Sequence, residues 1–153
     1  MTPKQFQQYL KKNAVELKRA FDVVIPRKAA NAAVLHFKKS FRDEGFTDKG
    51  LEKWQEVKRR INPKRADLAK AKLPILTGTG DLGRSIKATC APGKVTVISD
   101  VPYAEAHNEG TTNAGRKQNV VIPKRQFIGE SQTLNKEVEK IIVAEVGKIL
   151  KPQ

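Results

Sequence analysis

The sequence predicts an α+β domain in which helices flank a small antiparallel β-sheet. In the first third of the chain, apolar residues recur every three or four positions, as they do in amphipathic helices. Between residues 85 and 122 they alternate with polar residues, as in strands, and the end of the chain returns to the helical period. A length of 153 residues fits one domain, so we expect residues 1–153 to form a single unit.

An N-terminal helical pair is predicted first. Pro26 suits the first turn of the second helix, because the N–H group that proline lacks would have no partner there. Gly45 offers a stop, and we expect the two helices to be joined through the short stretch VVIP at residues 23–26. The apolar positions of the two helices are Phe6, Leu10, Leu17 and Phe21, then Ala30, Val34, Phe37 and Phe41.

Residues 44–72 are a basic segment with few apolar side chains, and Gly45, Gly50 and Pro63 would interrupt regular secondary structure in it. Loops of this length inside a compact domain are usually functional or disordered. We therefore expect a flexible, partly ordered segment, with a short helix near 49–60 followed by a basic tether.

The strands are predicted in the middle of the chain. Ser85–Cys90 and Val95–Ser99 flank the turn APGK and predict a β-hairpin. Tyr103–Asn108 predicts one helical turn with Gly110 as a left-handed cap. After a polar loop, a third strand is expected around Val120–Ile122.

A C-terminal amphipathic helix follows Pro123. Acidic residues stand early in it and Lys148 and Lys151 late, which is the order that the helix dipole favours. We expect this helix to pack on a small sheet made of the hairpin and one or two further strands. Its apolar face carries Leu134, Val138, Ile141, Ile142, Val146 and Ile149.

The net charge of +14 is unevenly distributed. Residues 1–72 carry 19 Lys and Arg against 8 Asp and Glu, whereas residues 73–153 carry 11 against 8, so the two parts contribute +11 and +3. Such a field attracts polyanions, including DNA, RNA and acidic protein surfaces. No apolar run approaches the ~18–20 residues of a membrane span, and the start has no signal-peptide pattern. We expect a cytoplasmic protein with no membrane contact.

No catalytic, nucleotide-binding or metal-binding motif stands out. His107 has Glu105 and Glu109 two positions to either side, a spacing that splays the groups apart on a helix. The glycines of residues 78–83 match GxGxxG, but a hairpin is predicted where a nucleotide site needs a helix. Cys90, the single cysteine, excludes an internal disulfide and is expected to pack in a strand. The sequence predicts a protein that is not an enzyme and uses no cofactor or metal.

Three motifs in the second half resemble the phage virion morphogenesis, or tail-completion, family. They are LTGTGDLGRSI at 76–86, YAEAHNEG at 103–110 and IPKRQFIGES at 122–131, in the family's order and within residues 73–135. Lys124 and Gln126 stand where that family usually has alanine and a second proline. The matching positions are Gly78, Leu82, Ser85 and Ile86, then Tyr103, Ala104, His107 and Gly110, then Pro123, Arg125, Phe127 and Gly129.

The resemblance implies a structural subunit of the virion at the head–tail junction, assembled in the cytoplasm of a bacterial host. Subunits would form a homo-oligomeric ring, either from monomers or from a preformed oligomer, and would contact connector and tail proteins of the phage. The motif residues are expected to act in the fold or in subunit contacts. Tyr103 can bury its ring, Arg125 can bind carboxylates or carbonyls within the fold or across to a neighbour, and Phe127 would anchor the last helix to the sheet.

Two other hypotheses remain open at this point. A free-standing nucleic-acid-binding protein would use its basic residues on phosphates, and a hydrolase would use His107 and Glu109. Within a ring, the same basic residues would contact DNA phosphates non-specifically or would face acidic surfaces of neighbouring proteins. The candidate phosphate contacts are Lys58, Arg59, Arg60, Lys64 and Arg65.

Overall fold

The structure, a computed structural model, describes residues 1–151. It confirms the α+β class, with a long N-terminal helix, three two-stranded antiparallel sheets and a C-terminal helix. The helices are α1 (Pro3–Arg19), α2 (Ile25–Asp43), α3 (Lys58–Ile61), α4 (Leu68–Ala71), α5 (Asp81–Arg84), α6 (Ala104–Glu109) and α7 (Gln132–Ile149), with a 3₁₀ turn at Arg65–Asp67. The strands are β1 (Gly45–Thr47), β2 (Leu51–Lys53), β3 (Ile86–Ala91), β4 (Lys94–Ser99), β5 (Thr111–Ala114) and β6 (Val120–Ile122).

The predicted helical pair is one continuous helix. Thr2 caps α1 through reciprocal bonds with Gln5, and a π-helical turn at Ala20–Val24 connects α1 directly to α2. Pro26 lies in the first turn of α2, as predicted, but the chain does not break before it. A proline inside a helix removes one backbone bond and crowds the carbonyl four residues earlier. The wider π turn lies where Pro26 would otherwise cause this crowding, so the helix continues through it.

Residues 44–72 contain a β-hairpin, so the helix predicted near 49–60 is wrong. Glu44 adopts a left-handed conformation (φ 51°) and ends α2, and β1 then pairs with β2. A side chain at Gly45 would collide with the backbone of Glu52, because the two strands approach closely there. Within 49–60, only the short helix α3 begins, at Lys58. Phe46, in β1, and Trp54, directly after β2, are buried in the central core.

The hairpin predicted in the middle of the chain is confirmed. Strand β3 pairs with β4 in the register Cys90↔Val95, and Gly93 (φ 64°) forms the turn. Cys90 itself is exposed, so its predicted packing role is wrong. It lies near the end of a ribbon only two strands wide, which leaves that side chain largely uncovered.

The third predicted strand is confirmed as β6, but it does not extend the first hairpin. It pairs instead with β5, which forms from residues that were predicted to be a polar loop. A single sheet was predicted, but the strands form three separate two-stranded ribbons, β1–β2, β3–β4 and β5–β6. The helical turn before β5 is confirmed as α6, whereas Gly110 (φ 76°, ψ 159°) is extended in ψ and does not form the left-handed cap that was expected.

The C-terminal helix is confirmed as α7, with Ser131 as its N-cap, accepting a bond from the Leu134 amide. It packs along α2 rather than on a sheet, and Lys28 and Glu145 form an ion pair across this contact at 2.5 Å. A two-stranded ribbon is too narrow to cover a helix of this length, whereas the alanine-rich face of α2 runs alongside it.

The core lies around the C-terminal half of α2. Phe41 contacts Trp54 edge to face, with ring centroids 5.6 Å apart, and lies 5.2 Å from the ring of Phe127. Ile75 and Ile86 are also fully buried there. The predicted stripe of α1 lies outside this core, since the side chains of Phe6 and Leu10 are 51% and 50% exposed.

Candidate functional site

The first motif anchors the start of the β3–β4 hairpin. Leu82 and Ile86 are buried in the core, and Ser85 is buried between them. The Ser85 hydroxyl lies 2.7 Å from the Leu82 carbonyl oxygen and 2.6 Å from the Ser99 hydroxyl, so it joins α5 to the end of β4. A side chain at Gly78 would meet open space, so the structure shows no packing requirement for glycine there.

The second motif forms α6 and the turn after it. Asn108 holds this helix to residues 127–128: its side-chain oxygen accepts from the amides of Phe127 and Ile128 at 2.9 and 3.0 Å. Its amide nitrogen donates to the Ile128 carbonyl oxygen at 3.1 Å. Gly110 is required by space as well as by its positive φ, because a Cβ there would lie 2.8 Å from the Lys124 amide nitrogen.

Tyr103 and His107 lie at the exposed side of α6. The Tyr103 side chain is 44% exposed, so the expectation of a buried ring is wrong, and its ring meets that of His107 edge to face at 6.0 Å. Tyr103 stands at the N-cap position, before the helix turns inward at the buried Ala104. It is therefore a surface aromatic whose ring packs against that of His107.

The third motif crosses the core without regular secondary structure. Pro123 follows β6 directly, as predicted, and Phe127 is 1% exposed against Phe41 of α2. The predicted contact of Phe127 with a sheet is therefore a contact with a helix. At Gly129, a Cβ would collide only with the flexible end of the Gln126 side chain, so the structure shows no backbone obstacle there.

The third motif is tied to the segment that follows β2. The Trp54 indole donates to the Gln126 carbonyl oxygen at 2.7 Å. The Arg125 guanidinium donates from Nε and Nη2 to the Gln55 carbonyl oxygen at 3.2 and 3.0 Å. Arg125 is 8% exposed, and its backbone amide bonds the His107 carbonyl oxygen. We call this set of contacts the motif hub: Trp54, His107, Asn108, Arg125 and Phe127.

Burial and charge lower two pKa values in the motif hub. Burial lowers the pKa of the His107 imidazole, and the positive charge of Arg125 lowers it further. Burial is also the main cause that lowers the pKa of Arg125, with a smaller contribution from the charge of Arg59. An imidazole with a lowered pKa is largely neutral near pH 7. Its buried Nδ1 has no hydrogen-bond partner among the described residues.

The five candidate phosphate contacts divide into two that have partners inside the protein and three that are exposed. Arg59 donates to the carbonyl oxygens of Lys70, Leu73 and Pro74 at 3.0 Å each, so its guanidinium folds the chain back onto itself. Arg60 forms two bonds with the Glu44 carboxylate, at 2.9 and 2.5 Å. The other three candidate phosphate contacts, Lys58, Lys64 and Arg65, are exposed.

Glu44 is the acidic partner that organises this cluster. Its carboxylate accepts from Arg60 and from the Ile75 amide at 2.8 Å, and its carbonyl oxygen accepts from the Trp54 amide. Hydrogen bonding to Arg60 is the largest cause that lowers the pKa of Glu44. Glu44, at the end of α2, thus holds Arg60 and the chain at residue 75 together.

Three of these residues were not predicted as site residues. Trp54 and Glu44 lie in the segment expected to be flexible, and their partners are distant in sequence: Gln126 is 72 residues from Trp54. Asn108 was available as a signal, because it lies between His107 and Gly110 in the second motif. An Asn beside a helix end often bonds backbone groups, but the sequence does not say which ones.

Among the side chains that the structure describes, no group of three or more His, Cys, Asp or Glu is placed to hold a metal ion. No helix in residues 1–151 is both long and apolar enough to cross a membrane. The second histidine, His36, contacts the Thr47 carbonyl oxygen at 3.1 Å and packs edge to face against Phe37.

Comparison with known proteins extends the resemblance seen in the motifs. No curated protein and no solved structure matches the chain. A family profile does match, over residues 8–147, and so includes the long helix, the 44–72 segment and α7 as well as the three motifs. Because the match covers most of the 153 residues, the chain belongs to the phage virion morphogenesis family.

Proposed function

We propose that this protein is a non-enzymatic structural subunit that completes the tail or joins it to the head, and that it works as a ring. The observation that carries the proposal is the family match over residues 8–147. The motif hub supports it: the motif residues that are buried hold chain segments together, as a building block needs, and the side chains of Phe127 and Arg125 are 1% and 8% exposed.

A ring at the head–tail junction needs contacts in which one face of a subunit meets a different face of the next. Connector proteins and tail proteins of the phage would bind the two open sides of that ring. The chain leaves several large apolar side chains exposed on separate elements, including Leu35, Val121 and Val143. Exposed apolar surface of this kind is a common feature of surfaces that become buried in assemblies.

The experiment is a deletion of the gene in a phage that encodes it, followed by electron microscopy and by mass spectrometry of wild-type particles. We expect separate heads and tails without the protein, rescue by the wild-type chain, and the protein in purified virions at a copy number set by the ring. Normal infectious particles without the protein, or its absence from wild-type virions, would contradict the proposal.

DNA contact is the second part of the proposal, and three exposed basic side chains favour it. Lys58, Lys64 and Arg65 are exposed and have no bond in the described part of the chain that would hold their charged ends. In a ring, they would favour passage of the phosphates through the central channel. A free-standing nucleic-acid-binding protein would use the same residues, but it would be absent from virions, so the mass spectrometry separates the two.

A further inference from the structure

The first turns of the long helix form an arm with an uncovered apolar side. We define the N-terminal arm as residues 2–12, which precede Asn13, the first buried residue of the chain. Phe6 and Leu10, four positions apart on one side, are about half exposed. At 1.5 Å per residue the arm is about 15 Å long. It is a helix whose apolar stripe has little to cover it within the subunit.

A groove of about 760 Å³ runs between α2, α7 and β4. Ile25, Ala29, Ala33 and Phe37 of α2 form its floor, and side chains from β4 and α7 form its two walls. The two alanines allow another helix to approach α2 closely, since the side chains at the contact set the distance between helix axes. The floor extends over thirteen residues of α2, from Ile25 to Phe37, about 18 Å. The groove is therefore apolar and as long as the arm.

The arm cannot reach the groove of its own subunit. Helical backbone runs without a break from α1 through the π turn into α2, so the arm points away from the floor that α2 provides. Leu10 lies fifteen residues before Ile25, about 22 Å along the same helix. The arm can enter a groove of this kind only in a second copy of the chain.

The charges of the two features are complementary. Residues 2–12 contain three lysines and no carboxylate, and Lys4 and Lys11, seven positions apart, lie together on one flank of the helix, outside the stripe. On the α7 rim of the groove, Glu139 is exposed and forms no ion pair with any described residue, whereas Glu145 further along α7 is paired. Lys94 lies on the opposite rim. With the apolar stripe of the arm on α2, its basic flank therefore faces the α7 rim, where Glu139 lies.

We propose that the N-terminal arm of one subunit binds in the groove between α2, α7 and β4 of the next. The arm and the groove are different surfaces, so the contact is heterologous and repeats from subunit to subunit, as a ring requires. Binding of an amphipathic helix in an apolar groove is a common mode of protein recognition. This inference rests on the proposed function and names the contact that would build the ring.

Native Cys90 allows a direct test, because its Sγ lies 3.5 Å from the carbonyl oxygen of Pro26, which lines the groove. Gln7→Cys places a second thiol on the arm beside the stripe without removing an apolar side chain. Within one subunit, residue 7 is nineteen residues before Pro26, about 28 Å along the helix. A bismaleimide linker much shorter than this distance can join the two thiols only between subunits.

We expect virions assembled with the Gln7→Cys chain to give a ladder of dimers, trimers and larger products after treatment with the linker. Wild type, with Cys90 alone, and Gln7→Cys/Cys90→Ser should give no ladder. Gln8→Cys is the matched control: its thiol points to the opposite side of the arm and should link at least several-fold less. Absence of the ladder from virions that contain the Gln7→Cys chain, or equal linking at positions 7 and 8, would overturn the inference.

A second pair of variants separates the arm contact from the proposed function. Phe6→Ser/Leu10→Ser removes the stripe, whereas Val15→Ser removes an apolar side chain that is 70% exposed on another side of α1. With unchanged circular dichroism, we expect only the double variant to stay monomeric and fail to enter virions. Normal rings from the double variant would contradict the arm contact and leave the virion role intact. Absence of the wild-type chain from virions would contradict the proposed function itself.

Discussion

The two ends of the long N-terminal helix have the same secondary structure and opposite surroundings. At its C-terminal end, Phe37 and Phe41 are buried and contact residues from three other segments of the chain. At its N-terminal end, Phe6 and Leu10 follow the same spacing and remain half exposed. A periodic stripe therefore indicates that a helix has an apolar side, but not whether the same chain covers it. We assign the buried end to stability and the exposed end to assembly.

Replacement of an aromatic residue at each place should give the largest contrast. Phe127→Ala removes a ring that is 1% exposed, and we expect a loss of about 3–5 kcal/mol in the free energy of unfolding. Phe6→Ala should change this free energy by less than about 0.5 kcal/mol. Urea unfolding followed by circular dichroism measures both, and comparable losses would remove the distinction between the two regions.

Two glycines of the family motifs give a similar contrast within the motif region itself. Gly110→Ala places a Cβ at a positive φ and 2.8 Å from the Lys124 amide nitrogen, so we expect a loss of about 1–3 kcal/mol. Gly78→Ala meets open space and should be neutral within about 0.5 kcal/mol. Thermal and urea unfolding compare the two variants. A costly Gly78→Ala would point to a packing role for that loop which the structure lacks.

The motif hub should also make stability depend on pH. The pKa of His107 is lowered in the folded protein, so the unfolded chain, with a value near 6.5, binds a proton more readily. Above about pH 6.5, His107 is neutral in both states and does not reduce the free energy of unfolding. As the pH falls through about 6.5 towards the lower pKa of His107 in the folded protein, this free energy decreases. Melting temperatures between pH 5 and 8 should show this slope, and His107→Gln should reduce it. An unchanged slope would show that another group causes it.

Removal of the exposed basic side chains of residues 58, 64 and 65 should have the smallest effect on folding. We expect Lys58→Ala/Lys64→Ala/Arg65→Ala to leave the free energy of unfolding within about 0.5 kcal/mol of wild type. The affinity for double-stranded DNA falls with salt, and a plot of log affinity against log salt gives the slope of this fall. If each of the three side chains contacts one phosphate, removing one of them makes this slope less steep by about 0.9. Replacing three exposed lysines elsewhere, Lys117, Lys136 and Lys140, changes the net charge equally. An equal loss of slope in this control would show that overall charge, rather than the cluster, attracts DNA.

Local patterns predicted the elements whose formation depends on nearby residues. The β3–β4 hairpin follows from alternating strands and a glycine turn, and α7 follows from its apolar face and from the order of its acidic and basic residues. The helix break at residues 23–26 was wrong because Pro26 is compatible both with a new helix and with a π turn in an existing one. Strand β5 has too few apolar residues for its sequence, TTNA, to indicate a strand.

Long-range contacts account for the rest. A short helix was predicted near 49–60, but Trp54 bonds a carbonyl 72 residues away and the chain before it forms a hairpin. Arg60 was predicted as a phosphate contact, and only its pairing with Glu44 in space shows that its charge has a partner inside the protein. The motif positions could be identified from the sequence, whereas Asn108, which bonds residues 127 and 128, became visible only in the fold.

The role of the N-terminal arm in assembly is tested most directly by the number of copies per virion of three chains: wild type, Phe6→Ser/Leu10→Ser and Val15→Ser. Quantitative mass spectrometry of purified particles gives this number, and urea unfolding of each purified chain gives its stability. We expect equal stability for all three chains and normal incorporation of wild type and Val15→Ser, with the double variant absent from particles. Incorporation of the double variant at the wild-type copy number would contradict it.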